Sequence, residues 1–405
     1  MDEEFAFEAR IKEGLLVHLK ELGFIKNGDG LFSPPNTDKE TFRLLHRIQR
    51  LNKIKIESHF IAKSVPKLLG YFASGTDIDP CRIKPKLQLV QSQTIESDLF
   101  RLATLTWSIP VSNGYGRRMR FLVWDENNNK LIGIIALGDP VFNLKVRDDL
   151  IGWDSKERQE RLVNMMDAYI LGAVPPYNML LSGKMIACLI KTREVVNIFK
   201  KRYSGKNGII SGKKKNPTLV AVTTSSALGK SSVYNRLKIN GAQYFKSIGY
   251  TAGWGHFHIP NDLFSDMREY LRIKNHKYYN NYRFGSGPNW RLRTTRAVLD
   301  LIGINSDILK HGIYREVYLC KLADNAEDVL KGISKKPDYK NLLSVREVAD
   351  IALDRWVIPR SQRLDNYHNW NNNYILDLLN PATDYSHLMQ QINGKTDSNF
   401  IKDKK

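Results

Sequence analysis

Apolar side chains near helical spacing open the chain. They recur along Glu3–Leu22, and Gly23 follows as a stop, which predicts an N-terminal helix. A second helix is predicted from about Thr37, where Glu40 three residues later resembles a capping box. Several basic residues follow: Arg43, His46, Arg47, Arg50, Lys53 and Lys55. We therefore expect residues 1–80 to form a helical unit, either a nucleic-acid-binding module or a basic cap over the main domain.

The middle of the chain alternates strand and helix patterns. Arg120–Trp124 and Lys130–Ala136 are apolar runs around an Asn-rich turn, which predicts a hairpin. Further predicted elements are strands at Lys86–Gln91, Ala168–Val174 and Thr218–Thr224, helices at Ser97–Thr106, from Gly183 to about Lys201 and at Ser231–Leu237, and a strand pair of Tyr244–Tyr250 with Trp254–Ile259. Residues 81–262 are thus expected to form an α/β core around a mixed sheet.

The last third of the chain returns to helical patterns. Predicted elements are helices at Asp262–Lys274, Trp290–Leu301 and Val345–Trp356 and an irregular strand at Tyr314–Leu319. Residues 263–392 are expected to form a basic, mostly helical C-terminal region, and the polar residues 393–405 a disordered tail. The fold class is therefore predicted to be α+β, in more than one domain.

The charge balance adds a class of partner. The chain of 405 residues has 62 Lys and Arg against 42 Asp and Glu, a net charge of +20. Such an excess repels itself and is typical of proteins with a polyanionic partner, for which nucleic acid is the first candidate and anionic lipid the second. Three widely spaced cysteines without a CxxC pair indicate neither a disulfide framework nor a zinc site. Because no secretory signal or membrane span is evident, we expect a cytoplasmic protein.

Two basic clusters carry much of this charge. Nine basic residues lie between Lys191 and Lys215 against Glu194 alone, and eight lie between Arg268 and Arg296 against Glu269 alone, interleaved with aromatic residues. Guanidinium groups beside rings suit a single strand, although a solvated helix face is the alternative. The candidate nucleic-acid-binding residues are Arg117, Arg118, Lys213, Lys214, Lys215, Lys230, Tyr282, Arg283, Asn289, Trp290, Arg291, Arg293 and Arg296.

Two further segments have more than one interpretation. Arg117 and Arg118 either contact phosphates or pair with one of the aspartates Asp139, Asp148 and Asp154. Thr224–Ser231 nearly matches a P-loop between a strand and a helix, but Thr224 replaces the first glycine, so a polar loop whose Lys230 meets a phosphate or caps the helix is expected instead.

A pair of histidines is the candidate catalytic and metal site. In a strand His256 and His258 share one face, and a His-hydrophobic-His pattern is how HUH nucleases hold a divalent metal such as Mg²⁺ or Mn²⁺. The alternative is a pair of solvated or hydrogen-bonded strand residues.

The order of elements in the middle of the chain resembles the GNAT acyltransferase fold. In that family a turn after the fourth strand holds the coenzyme A pyrophosphate on a glycine-bearing loop. The matching turn here is Val174–Lys184, with Asn178, Leu181 and Gly183 at the positions of the family motif. Leu181 stands where close backbone approach requires glycine, so the resemblance implies the fold, with acyl transfer only as an alternative function.

A set of segments spread over the chain resembles the DruA family, the A proteins of the Druantia anti-phage defence system. The segments include Gly114–Arg118, Ile135–Pro140, Ile151–Asp154, Gly172–Asn178, Thr223–Arg236, Gly285–Arg293 and His311–Glu316. The resemblance implies a role in defence beside other Druantia components, including a large helicase. We therefore expect a component that binds nucleic acid, in particular phage DNA, with a metal-dependent single-strand DNA endonuclease as the alternative from the enzyme class.

Overall fold

The fold is built on one mixed sheet of seven strands. The computed structural model describes residues 2–28, 32–33, 39–111, 114, 116–207, 212, 214–255, 259–280, 288–310, 312–383 and 392. The strands are β1 (Pro85–Leu89), β2 (Arg118–Asp125), β3 (Lys130–Gly138), β4 (Met165–Ala173), β5 (Ala221–Ser225), β6 (Lys246–Tyr250) and β7 (Glu316–Lys321). Their order across the sheet is β6-β7-β5-β4-β3-β2-β1.

One parallel pair lies in the middle of this otherwise antiparallel sheet. Strands β4 and β5 are parallel and pair only from Met165 with Ala221 to Asp167 with Thr223, after which they separate. The predicted hairpin is confirmed as β2 and β3, which turn at Asn129 in a left-handed conformation (φ 56°). The mixed α+β class predicted from the sequence is likewise confirmed.

Helices cover both faces of the sheet. They are α1 (Asp2–Glu21), α2 (Lys39–Ile56), α3 (Ser58–Leu68), α4 (Ile95–Leu105), α5 (Lys145–Ile151), α6 (Ser155–Arg161), α7 (Ser182–Leu189), α8 (Arg193–Tyr203), α9 (Asn261–Ile273), α10 (Pro288–Leu301), α11 (Ala326–Lys331), α12 (Val345–Ala352), α13 (Ile358–Arg363) and α14 (Tyr374–Leu378). A π-helical turn, Leu353–Val357, joins α12 to α13.

The apolar side chains divide into layers that follow from strand alternation. Phe121 and Val123 of β2 point to the face under α7, α8 and α12, whereas Leu122 points to the face under α3, α4 and α14. Helices α5 and α11 cover the second face over β5 and β7. A fourth cluster joins α1 to α9 and α10, so the first helix packs against C-terminal helices.

Several predicted elements differ from the structure. In the described residues, the predicted pairing of Tyr244–Tyr250 with Trp254–Ile259 is not found: β6 pairs with β7, and Trp254 forms an isolated bridge to Lys310. Residues 256–258 lie outside the described residues. The helix predicted after Gly183 is two helices, α7 and α8. The helix expected at Ser231–Leu237 is a single 3-10 turn, Tyr234–Arg236. Strand patterns indicate the strand but not the distant partner that satisfies its hydrogen bonds.

A buried arginine fixes the connection between β3 and α5. Arg147 has no exposed surface, and its guanidinium donates to Asp148 Oδ1 (2.8 and 2.6 Å) and to the carbonyls of Val141 (2.8 Å) and Phe142 (2.9 Å). Asp148 Oδ2 also accepts a hydrogen bond from Arg158 Nη1 at 3.1 Å. Each guanidinium nitrogen of Arg147 thus has an acceptor, which is the condition under which a buried ion pair is tolerated.

Replacing Arg147 tests this role. We expect Arg147→Met to lower the free energy of unfolding by about 3 kcal/mol, because Asp148 and two carbonyls lose their buried donor. Denaturant unfolding measures the change. The control is Arg346→Met on α12. The Arg346 side chain is 85% exposed and forms a long, weak ion pair of 3.9 Å with Asp350, so this substitution should change stability by no more than about 0.5 kcal/mol. Equal effects of the two substitutions would contradict the assignment.

Candidate nucleic-acid interface

The end of α8 presents a run of cations to solvent. Val195, Val196 and Phe199 turn toward the core and leave Lys200, Lys201 and Arg202 exposed in the last turn. Cations at a helix C-terminus interact favourably with the helix dipole, so a structural reason for them exists. The helix dipole acts within the last turn, so it does not account for the cations that follow α8.

A small antiparallel ladder continues the charge beyond α8. Lys206–Asn207 pairs with Lys214–Lys215, and the amide of Gly205 donates to Asn216 Oδ1 at 2.8 Å to close the connection. Lys206 and Lys214 are exposed. The candidate Lys213 and the side chain of Lys215 lie outside the described residues.

Arg118 joins this region from the sheet. The hydroxyl of Tyr203, the last residue of α8, donates to the carbonyl of Arg118 at 2.9 Å, and the Arg118 side chain is exposed. We name the exposed cations of this region the α8 basic surface: Arg118, Lys200, Lys201, Arg202, Lys206 and Lys214. In the part of the chain that the structure describes, none of them forms an ion pair with a carboxylate.

A sequence feature accounts for the scarcity of carboxylates along these segments. Residues 195–261 contain eleven Lys and Arg and no Asp or Glu. The stretch runs from α8 through β5 and β6, so these segments carry positive charge and no acidic residue of their own. Scanning the sequence for the longest segment without acids would have found this surface directly, whereas the interleaved aromatic residues favoured the second cluster, between Arg268 and Arg296, as the binding site.

Arg117, the neighbour of Arg118, turns inward. Its guanidinium donates to Asp139 Oδ1 (2.7 Å) and to the carbonyls of Val163 (2.8 Å) and Met165 (3.1 Å), near the ring of Phe199. The alternative pairing with Asp139 is therefore the one that the structure contains. Arg117 ties the start of β2 to the start of β4 and supports the surface from below.

The second basic cluster is largely engaged within the protein. Arg272 pairs with Glu269 at 2.6 Å and Lys274 pairs with Glu4. Arg291 donates to Asn261 Oδ1 (2.8 Å) and to the carbonyl of Ile259 (2.6 Å), and burial lowers its pKa to about 10. Lys274 thus connects the end of α9 to α1 and Arg291 connects α10 to the start of α9, whereas the Arg272 pair lies within α9.

The aromatic residues of that cluster pack rather than stand free. Tyr270 is 1% exposed, and the ring of Trp290 meets Phe264 edge-on at 5.4 Å with Arg268 at 5.2 Å above it. Exposed charge is left on α10 at Arg293 and at Arg296, which lies 4.8 Å from the Trp254 ring centroid. The candidates Tyr282 and Arg283 and the side chain of Asn289 lie outside the described residues.

The loop that resembles a P-loop has a different geometry. No helix follows it, because Ser231 Oγ accepts from the amides of Val233 and Tyr234 (both 3.2 Å) and closes a short turn. Glu316, 4% exposed, accepts from Ser247 Oγ of β6 (2.7 Å) and from Asn235 Nδ2 (3.3 Å), which also donates to the Ser231 carbonyl at the end of the loop (2.9 Å). Lys230 is exposed at the tip of this fixed loop.

The proposed metal site cannot be placed. His256 and His258 lie outside the described residues. Among the described residues, no group of three His, Cys, Asp or Glu side chains is arranged to hold a metal ion. The endonuclease interpretation therefore gains no support from the geometry and stays an expectation.

The turn after β4 contains a non-glycine residue in a left-handed backbone conformation. Leu181 has a left-handed backbone (φ 59°), which L-residues other than glycine adopt at a cost. The turn leads directly into α7 at Ser182. The predicted likeness to the acyltransferase fold stays a prediction.

A carboxyl that sequence reasoning missed lies where β4 and β5 separate. Half-buried Asp167 accepts from Thr223 Oγ1 at 2.8 Å, and the next hydroxyl, Thr224 Oγ1, donates to the Ala168 carbonyl at 2.8 Å. Burial raises the pKa of Asp167 to about 6 from an ordinary 3.8. A single acidic residue in an apolar strand was the available sign.

Asp167→Asn tests this environment. Because the folded carboxyl prefers its proton, its contribution to stability is complete below about pH 4 and is lost as the pH rises through 6. The free energy of unfolding of Asp167→Asn minus that of the wild type should therefore rise between pH 4 and 7, by no more than about 3 kcal/mol. Denaturant titrations across this range measure it; a difference that does not vary with pH would contradict the assignment.

Fold and charge distribution together define the class: a mixed α+β protein with a helix-covered sheet and an uncompensated basic face. The family model for Druantia protein DruA matches residues 36–332, and the Druantia protein DruA of Escherichia coli (strain UMEA 4076-1) is 52% identical over 372 residues, covering 92% of each chain. The chain belongs to the DruA family. No solved structure matches it. No helix within the described ranges is long and apolar enough to cross a bilayer.

Proposed function

We propose that this protein is a nucleic-acid-binding component of the Druantia anti-phage defence system, with DNA held on the α8 basic surface. The observation that carries the proposal is the set of six exposed cations of this surface, none of which has a carboxylate partner among the described residues. Phosphate contacts from such groups dominate the affinity of proteins for nucleic acid. Family membership supplies the biological setting.

The surface is suited to the backbone rather than to base sequence. Lysines predominate, and a lysine ammonium acts as a point charge that tolerates many strand geometries. Arg118 and Arg202 are the two guanidinium groups of the set, and either fits a phosphate with paired hydrogen bonds. We therefore propose binding with little sequence preference, which suits a component that must act on phage DNA of varied sequence.

A helicase partner completes the proposal. The DruA resemblance implies a large helicase as one of the other components, and a protein that holds a strand through its backbone could present it to an enzyme that translocates along that backbone. The support for this step is the likeness to the family together with the open, unpaired character of the α8 basic surface.

Salt dependence tests the proposed surface. If all six cations meet phosphates, the plot of log affinity against log salt should have a slope of about −4 for single-stranded DNA. The triple variant Lys200→Gln, Lys201→Gln and Lys206→Gln removes half of them, so the slope should become shallower by about 2 units. Fluorescence anisotropy at several salt concentrations measures both values.

The matched control makes the same change of charge on the opposite face. Lys55, Lys63 and Lys67 are exposed on α2 and α3, across the sheet from α8, and their replacement by Gln removes three positive charges as well. This variant should keep the wild-type slope. The proposal fails if both triple variants change the slope equally, or if the wild-type protein does not bind DNA at low salt.

A further inference from the structure

Four cationic side chains from separate segments meet near the start of α7, away from the α8 basic surface in sequence. Lys184 lies in the first turn of α7, Arg236 ends the short turn after β5, Arg355 lies in the π-helical segment, and Arg360 lies on α13. We name them the Lys184 cluster. Sequence spacing does not reveal it, because 176 positions separate Lys184 from Arg360 (360 − 184).

One indole ring brings two of the cations together. The Lys184 Nζ atom lies 5.7 Å from the Trp356 ring centroid, and the Arg355 guanidinium carbon lies 5.6 Å from it. Arg355 Nη1 also donates to the carbonyl of Lys238 at 2.7 Å, which holds the segment that carries Arg236 against the same helix. Contacts with neutral groups therefore fix the side chains of Lys184 and Arg355 and hold the backbone of the segment that carries Arg236.

The fourth cation is fixed by the turn that precedes α7. Arg360 Nε donates to the carbonyl of Met179 at 3.2 Å, two residues before the left-handed Leu181. Lys184 and Arg360 are half-buried, whereas Arg236 and Arg355 are exposed. The cluster thus has a partly sheltered centre and an open rim.

Repulsion within the cluster is not relieved by the protein. In the part of the chain that the structure describes, none of the four forms an ion pair, and the exposed Asp354 beside Arg355 forms none either. Burial first, and then the charges of Arg236, Arg355 and Arg360, lower the pKa of Lys184. Like charges held together in this way destabilise the fold, and an anion placed among them would reverse the sign of that interaction.

A buried hydroxyl lies at the same end of α7. Ser182, the first residue of α7, has no exposed surface, and its Oγ has no hydrogen-bond partner in the described structure. Buried hydroxyls of this kind are nearly always paired in proteins. Beside it, a Cβ built on Gly183 meets nothing within 4 Å, so there is open space at the amino end of the helix.

We propose that the Lys184 cluster binds a terminal phosphate group, a phosphate monoester with close to two negative charges at neutral pH. Four cations around a sheltered centre match a dianion that enters end-on better than a phosphodiester, which has one charge and must leave on both sides. Such a group is present at the 5′ end of DNA and on a mononucleotide. The first source rests on the proposed function; the second is independent of it.

Two paired comparisons test the site and separate the sources. The protein is titrated into two versions of one single-stranded oligonucleotide, both labelled at the 3′ end, of which one has a 5′-phosphate and the other a 5′-hydroxyl. Separately, the binding of dAMP and of deoxyadenosine is compared by calorimetry. A charge-assisted contact of this kind should favour the phosphorylated member of at least one pair by about tenfold. The double variant Arg236→Gln and Arg355→Gln should reduce that preference to near unity.

The control and a second variant keep the result interpretable. Lys63→Gln with Lys67→Gln removes the same charge from the opposite face and should retain the preference. If the double variant does not fold, Arg236→Gln alone, at an exposed position, should still weaken the preference severalfold.

Each outcome decides the inference. A preference for the 5′-phosphorylated strand alone assigns the site to DNA ends, and a preference for dAMP alone assigns it to free nucleotides. If the phosphorylated and unphosphorylated members bind equally in both pairs, the proposed phosphate site is wrong. If the double variant keeps the preference for phosphate, the site lies elsewhere than the Lys184 cluster. Should the oligonucleotides not bind at all, the proposed function fails, and the dAMP comparison still decides this site.

Discussion

The arrangement depends on apolar packing strong enough to hold mutually repelling cations on one face of the sheet. Helices α7, α8 and α12 bury a continuous cluster against β2, β3 and β4, and the cations at the end of α8 project from its outer side. Burial of the apolar faces of these helices offsets the repulsion among the exposed cations, which have no carboxylate partners among the described residues. A surface of this kind persists without its partner and is more stable with one, which links the fold to the proposed ligand.

Arginine has two separate uses in this chain. Arg50, Arg117, Arg147 and Arg291 direct their planar donors at backbone carbonyls and buried carboxylates, where a lysine would leave acceptors unfilled. They connect segments that are distant in sequence. The net charge therefore overstates the charge available to a partner, and the cations that remain are those of the α8 basic surface, the Lys184 cluster and scattered exposed positions.

The sequence predicted elements better than it predicted which residues meet. The hairpin of β2 and β3 follows from a local pattern around an Asn-rich turn, and its bounds differ from the prediction by a few residues. The partner of β6 is β7, whose residues are 66 or more positions further along the chain (316 − 250), and no periodicity encodes that choice.

The candidate site shows the same limit. Arg117 and Arg118 are adjacent in sequence, yet one is internal and the other exposed, because Asp139 and two carbonyls of the β4 connection are reachable from only one of them. The basic character of the 191–215 region was predictable from composition. The Lys184 cluster was not, since its members become neighbours only through the packing of Trp356 against α7.

The most direct test of the central claim is amide hydrogen exchange of the full chain with and without single-stranded DNA. If the uncompensated face holds the strand, DNA should slow exchange along α8 and in residues 204–207 and 214–216, and should leave α3 and α4 on the opposite face unchanged. Protection confined to α3 and α4, or DNA binding without any protection on α8, would contradict the account.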